Sequence, residues 1–198
     1  KAPLNRLDER ALCPGAGALD TVSYADSNAG VTLDLSSGAP GAGGTAQGDV
    51  LTEVENVIGS QHADTLVGTA GVAVSALFGG SGNDTLDGRQ GGDTLDGGAG
   101  SDWAYYALSG NLVRIDLGDG LPESGGQANG DTLIAIENII ASGLDDTLRG
   151  DSGVNILLAG SGNDTIRGSS GSDSLDGGAG LDTVNYAEYG AGVNVNLT

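Results

Sequence analysis

The chain has 198 residues, 38 of them glycine, and carries 27 acidic against 7 basic side chains, a formal net charge of −20. That balance argues against nucleic acid, because no basic stretch stands ready to meet phosphates, and equally against anionic membrane surfaces. No apolar run approaches the roughly 20 residues that span a bilayer, no charged-then-apolar signal-peptide pattern is present, and the single Cys13 excludes an internal disulfide framework.

In chain order, residues 1–14 hold Lys1, Arg6 and Arg10 and no glycine, and read as a linker or cap. A long repeat then begins. Asp20-Thr-Val-Ser-Tyr-Ala returns at Asp102 and Asp182, and Val31-Thr-Leu-Asp-Leu returns at Val113 and Val193. Gly48-Asp-Val-Leu returns as Gly130-Asp-Thr-Leu. These offsets, 82 and then 80 residues, divide the chain into a first unit at 15–101, a second at 102–181 and the start of a third at 182–198, as expected of a quasi-one-dimensional stack. Within each unit the alternating stretches Val31–Leu35 and Val113–Leu117 predict strands, and the Gly/Pro-rich loops 36–48 and 118–130 are expected to bulge from one side. Glu55-Asn56 and Glu137-Asn138 are read as turn or ladder hydrogen-bonding residues.

Each unit ends in a denser pattern. From Gly79 to Tyr105 run three nine-residue blocks, GGSGNDTLD, GRQGGDTLD and GGAGSDWAY, and from Ala159 to Asn185 three more, AGSGNDTIR, GSSGSDSLD and GGAGLDTVN. Glycines at places one, two and four permit a sharp turn with φ > 0. The residues after the Asp form a very short strand whose apolar member points to one face. Two blocks then make one coil of a flattened spiral, coils stack about 4.8 Å apart, and Leu, Ile and Val line a narrow interior. Stacking the Asp residues of successive turns is unfavourable by itself: like charges near 5 Å repel by about 1 kcal/mol even in water. A cation between turns reverses that sign. Calcium, a hard ion that takes about 6–8 oxygens in loose geometry, suits carboxylates and unshielded carbonyls, so calcium binding and folding are expected to be one event.

These blocks resemble the nonapeptide of the RTX, or haemolysin-type calcium-binding, family. The resemblance implies an all-β, calcium-stabilised parallel β-roll or β-helix solenoid. It also implies that the sixth-place Asp of stacked turns supplies carboxylates, completed by turn carbonyls. Carried over block by block, the ligands are Asp84, Asp93 and Asp102 in the first run and Asp164, Asp173 and Asp182 in the second, with Asp64 and Asp146 in the weaker preceding blocks. Partners two blocks apart pair Asp84 with Asp102, Asp164 with Asp182, Asp64 with Asp84 and Asp146 with Asp164. On the other edge Asp173 is expected to face Asn155, a neutral ligand, and Asp93 to face Ala73, which offers none. Asp87, Asp96 and Asp176 are read as outward turn residues.

Catalytic chemistry is not expected. Gly150-Asp-Ser-Gly resembles a protease nucleophile stretch, but the only histidine, His62, lies in a turn of another block, and a triad needs a base and an orienter within reach. Tyr24, Tyr105, Tyr106, Tyr186, Tyr189 and Trp103 are expected to pack at coil-to-strand junctions, with a sugar-binding face as the other reading. The resemblance implies a secreted or cell-surface bacterial protein exported by a type I system. The 80-residue superrepeat favours a structural role, as a stalk, adhesin or surface-layer segment. The alternative is the C-terminal calcium-binding module of a secreted protease, lipase or epimerase. Expected partners are calcium ions, a further copy by head-to-tail association, and a surface glycan.

Overall fold

A computed structural model describes residues 19–69, 71 and 73–187. The expectations for residues 1–14, for Tyr189 and for the rest of 188–198 lie outside the described residues. The described chain winds through sixteen strands, most of them three residues long. Their brevity follows from the sequence: in Thr-Ile-Arg only the middle residue is apolar, so a three-residue strand buries that side chain and leaves its neighbours half-buried.

Three parallel sheets result. The first stacks β1 (Thr21–Ser23), β3 (Asn56–Ile58), β5 (Ala76–Ser81), β7 (Thr94–Ala99) and β10 (Thr132–Ile134). A continuous seven-stranded sheet stacks β2 (Thr32–Asp34), β4 (Thr65–Val67), β6 (Thr85–Asp87), β8 (Trp103–Tyr105), β11 (Asn138–Ile140), β13 (Ile156–Leu158) and β15 (Ser174–Asp176). A four-stranded sheet stacks β9 (Arg114–Asp116), β12 (Thr147–Arg149), β14 (Thr165–Arg167) and β16 (Thr183–Val184). In the tandem blocks successive strands alternate between the seven-stranded sheet and one of the other two. Two nonapeptides therefore complete a coil, and register partners such as Thr85 and Trp103 lie two blocks apart. The expected all-β parallel solenoid is what the chain forms.

The middle residues of the strands meet in one core, with Val57, Leu66, Leu77, Leu86, Leu95, Ala104, Ile139, Leu148, Leu157 and Ile166 fully buried. At about 1.5–3 kcal/mol per buried aliphatic side chain, this single file of residues is the apolar contribution to stacking. The strands centred on Leu33 and Ile115 are shorter than Val31–Leu35 and Val113–Leu117. The loops that follow do not simply bulge. Each folds back to an antiparallel bridge, Thr32 with Ala42 and Arg114 with Ser124, and buries Ala46 or Ala128 on a short 3-10 turn. No helix among the described residues is long and apolar enough to cross a membrane.

Candidate metal centre

Every sixth-place Asp stands immediately before a strand, where the turn delivers its carboxylate to the backbone of the preceding coil. The Asp64 N–H donates to Asp84 Oδ1 at 2.7 Å, the Asp84 N–H to Asp102 Oδ1 at 2.7 Å, and the Asp102 N–H to Glu137 Oε2 at 2.8 Å. A second ladder runs from the Val113 N–H to Asp146, from Asp146 to Asp164 at 2.7 Å, and from Asp164 to Asp182 at 3.0 Å. The four pairs read from 18- and 20-residue spacing are thus brought together, as is Asp173, which accepts from the Asn155 N–H at 3.1 Å. Glu137 and its counterpart Glu55, which accepts from the Asp20 N–H at 2.9 Å, act as ladder rungs, the hydrogen-bonding role expected of them.

The other oxygen of each carboxylate distinguishes the turns. Asp84, Asp93, Asp102 and Asp164 each hold Oδ2 buried with no hydrogen-bond donor. An ionised oxygen in that state is costly unless a cation meets it. Asp64 and Asp146 differ: the main-chain N–H and the hydroxyl of Ser60 donate to Asp64 at 2.5 and 2.9 Å. The N–H of Ser142 donates to Asp146 Oδ2 at 2.8 Å, and its hydroxyl lies 2.8 Å from each oxygen of that carboxylate. The Asn155 side chain is committed as well, its Oδ1 accepting from the Asp151 N–H and its Nδ2 donating to the Glu137 carbonyl.

One expected pairing is corrected. Asp93 does not face Ala73. Its Oδ1 accepts from the Ser75 N–H at 2.6 Å, and its own N–H donates to Asp131 Oδ1 at 2.9 Å. The 38-residue step to Asp131 arises because β10 returns to the first sheet beside β7 after the intervening loop. Asp131 is the residue that sequence reasoning missed. Its signal was Asp131-Thr-Leu, the same tripeptide as Asp93-Thr-Leu, with which it pairs in register. Its Oδ2 accepts from the Tyr106 hydroxyl at 2.9 Å, deep in the core. Asp87 is a second correction: it is buried and lies 3.5 Å from Arg89 Nε, while Asp96 is half-buried and Asp176 exposed. His62 is exposed in its turn. Tyr24 and Tyr106 pack in the core, Trp103, Tyr105 and Tyr186 are half-buried, and Tyr24 repeats the Tyr106 arrangement by donating to Asp49 Oδ2 at 2.9 Å.

Electrostatics follow burial. Loss of water, helped by the charges of Asp64 and Asp102, pushes Asp84 up to about 7. Burial raises Asp93 to about 6 and Asp131 to about 7, and it also raises Asp102, Asp146, Asp164 and Asp173. The turns therefore resist being negative unless positive charge is supplied. Among the described residues no three His, Cys, Asp or Glu side chains converge as a metal cluster. A cation held between coils would have to complete its shell from main-chain oxygens, and the turns expose them. A Cβ at Gly100 would collide with the Gly82 carbonyl oxygen, and one at Gly180 with that of Gly162. Only glycine lets the carbonyls of one coil abut the next. Bare carboxylate oxygens beside unshielded carbonyls form the hard, all-oxygen donor set that fits calcium.

A family model described as the RTX calcium-binding nonapeptide repeat matches four copies, at residues 76–104, 140–166 and 149–184. No curated protein matches the chain. The matched segments contain Asp84, Asp93, Asp102, Asp146, Asn155, Asp164, Asp173 and Asp182, and begin after Asp64. The stacked turns, the bare carboxylate oxygens and the matched segments coincide: residues 76–104 and 140–184 are RTX calcium-binding nonapeptide repeats.

Proposed function

We infer that this chain is a non-catalytic structural repeat region of a secreted or cell-surface protein, a stalk, adhesin or surface-layer segment that folds when calcium becomes available. The observation that carries the reading is the set of buried, donor-free carboxylate oxygens, at Asp84 and Asp102 on one ladder and at Asp164 on the other. Bound calcium would supply the positive charge those oxygens lack. The chain's own residues do the rest. Glycine turns bring carbonyls to the coil boundary, the sixth-place Asp residues align main-chain N–H groups, and the Leu, Ile and Val file closes the interior. Such a chain stays open where calcium is scarce and folds where it is plentiful, which suits type I export followed by folding outside the cell.

Far-UV circular dichroism in EDTA, followed by calcium titration, tests this. The expected result is a disordered spectrum in EDTA that converts cooperatively to β structure with calcium and not with magnesium. A chain fully β-structured in EDTA at neutral pH would overturn it.

A further inference from the structure

The second unit gathers onto one face three of the seven basic residues of the chain, which sequence spacing alone leaves scattered. Arg114 on β9, Arg149 on β12 and Arg167 on β14 stand on consecutive strands of the four-stranded sheet. Ile115, Leu148 and Ile166 beside them point into the core, so strand alternation turns all three arginines outward. Arg149 and Arg167 are register partners, and Arg114 lies opposite Thr147, one outward place earlier. The loop after β9 folds back through its bridge at Ser124 and walls a cleft of about 330 Å³ over these residues.

The first unit builds the same strands without this feature. At offsets of 82, 82 and 80 residues the corresponding places hold Thr32, Val67 and Asp87. The strands therefore form without arginine at these places, and in a chain of net charge −20 the second unit sets three guanidinium groups in a row. The remaining lining residues narrow the ligand. Asp116 accepts from Arg149 Nη1 at 3.0 Å, the buried Glu123 accepts from the Asp116 N–H through Oε2, and Asp119, Ser124 and Thr147 add carboxylate and hydroxyl groups. Guanidinium forks match carboxylate or sulfate oxyanions, whereas carboxylates and hydroxyls accept from ligand hydroxyls. A row of cations with a strand-to-strand step of about 4.8 Å calls for a ligand that repeats both features along its length. A nucleic acid strand brings anionic groups but binds through aromatic stacking as well. No aromatic side chain lines the cleft to stack the bases.

We propose that this cleft binds an acidic polysaccharide, with Arg114, Arg149 and Arg167 holding the oxyanions of its sugars and the neighbouring carboxylates and hydroxyls taking sugar hydroxyls. The test is isothermal titration calorimetry of the full chain in saturating calcium with oligogalacturonate, a sulfated heparin oligosaccharide, neutral dextran and single-stranded DNA. Binding of the carboxylated or the sulfated oligosaccharide, and not of dextran, is expected, and those two arms identify the oxyanion. The combined variant Arg114→Thr, Arg149→Val and Arg167→Asp installs the first unit's residues. It should weaken that binding at least tenfold while circular dichroism and the calcium titration, which report the folding reading separately, stay unchanged. If the combined variant loses its β spectrum, the exposed Arg114→Thr alone decides, with at least a threefold loss expected. Absence of binding to either acidic oligosaccharide overturns the proposal, as does DNA binding of equal strength. Undiminished binding by the folded variant, the signature of calcium bridging between turn carboxylates and sugar, also overturns it.

Discussion

Replacing Tyr106 by Phe keeps the ring that fills the core and removes only the hydroxyl. That hydroxyl donates to Asp131 Oδ2 at 2.9 Å, and tyrosine and aspartate are 1% and 0% exposed. Without it, water cannot replace the lost donor, and a buried carboxylate oxygen left unpaired costs about 1–3 kcal/mol. The first unit supplies an internal control. Tyr24 makes the same 2.9 Å bond to Asp49, but Asp49 is half-exposed, so solvent can take over. Tyr24→Phe should therefore cost only the net value of a hydrogen bond, about 0.5–1.5 kcal/mol. At about 2–4 °C per kcal/mol for a chain of this size, Tyr106→Phe should lower the melting temperature of the calcium-saturated protein by about 2–12 °C, and Tyr24→Phe by about half as much. Thermal melts at pH 8 should be followed by circular dichroism together with fluorescence of Trp103, the chain's single tryptophan, which lies on β8 beside Tyr106. A solenoid can melt unit by unit, and the fluorescence isolates the second unit, the one Tyr106→Phe alters, while circular dichroism follows both. If Tyr24→Phe is as damaging as Tyr106→Phe, or if neither moves the transition, the reasoning from burial is wrong.

Three further outcomes follow from the same geometry. Burial raises Asp84, Asp93, Asp131 and Glu123 to about 7, 6, 7 and 8, above the ordinary carboxylate values of 3.8 and 4.5. The folded metal-free roll therefore binds more protons than the unfolded chain, and its stability, complete below the ordinary values, is lost as pH rises through about 6–8; circular dichroism in EDTA should show β structure at pH 4 and its loss by pH 8, and a metal-free form that gains structure with rising pH would contradict this. Asp102→Asn keeps the Oδ1 that accepts from the Asp84 N–H but removes the charge beside a bare oxygen, so the calcium midpoint of folding should move to at least about threefold higher concentration with no loss of structure in acid; an unchanged midpoint would remove Asp102 from the metal centre. Ser142→Ala strips one hydroxyl from Asp146 but leaves each oxygen a main-chain donor, and should destabilise the roll by only the net value of a hydrogen bond, about 0.5–1.5 kcal/mol, in acid EDTA urea titrations; a larger loss would show that the hydroxyl is what satisfies the carboxylate.

The sequence made the coil legible because a period of nine with one apolar residue per strand admits one solution, and the 18-residue partnership of Asp84 with Asp102 followed from it directly. It was silent where the period is interrupted. The step from Asp93 to Asp131 crosses a loop that folds back on an antiparallel bridge, and nothing in the spacing says that β10 rejoins the first sheet while β9 opens a new one. The three arginines were invisible for the same reason: separations of 35 and 18 residues become adjacent strands only once that new sheet exists.

The same interruptions explain which turns demand a cation. At place two of its block Asp64 has Ser60 and Asp146 has Ser142, and their main-chain N–H groups close Oδ2 while the hydroxyls add a further bond. Asp84, Asp102 and Asp164 have Gly80, Gly98 and Gly160 there, all at positive φ, with no side chain to give and a carbonyl of the preceding coil pressed against them. Arg89, at the same place before Asp93, also has positive φ, and Asp93 Oδ2 is bare too; the backbone at place two, rather than its side chain, divides the turns. The serine-capped turns stand where each unit begins its dense run, ahead of the bare ones in the ladder. Folding can therefore start from rungs that need no metal, and the stack becomes calcium-dependent only as it extends into the glycine-rich coils.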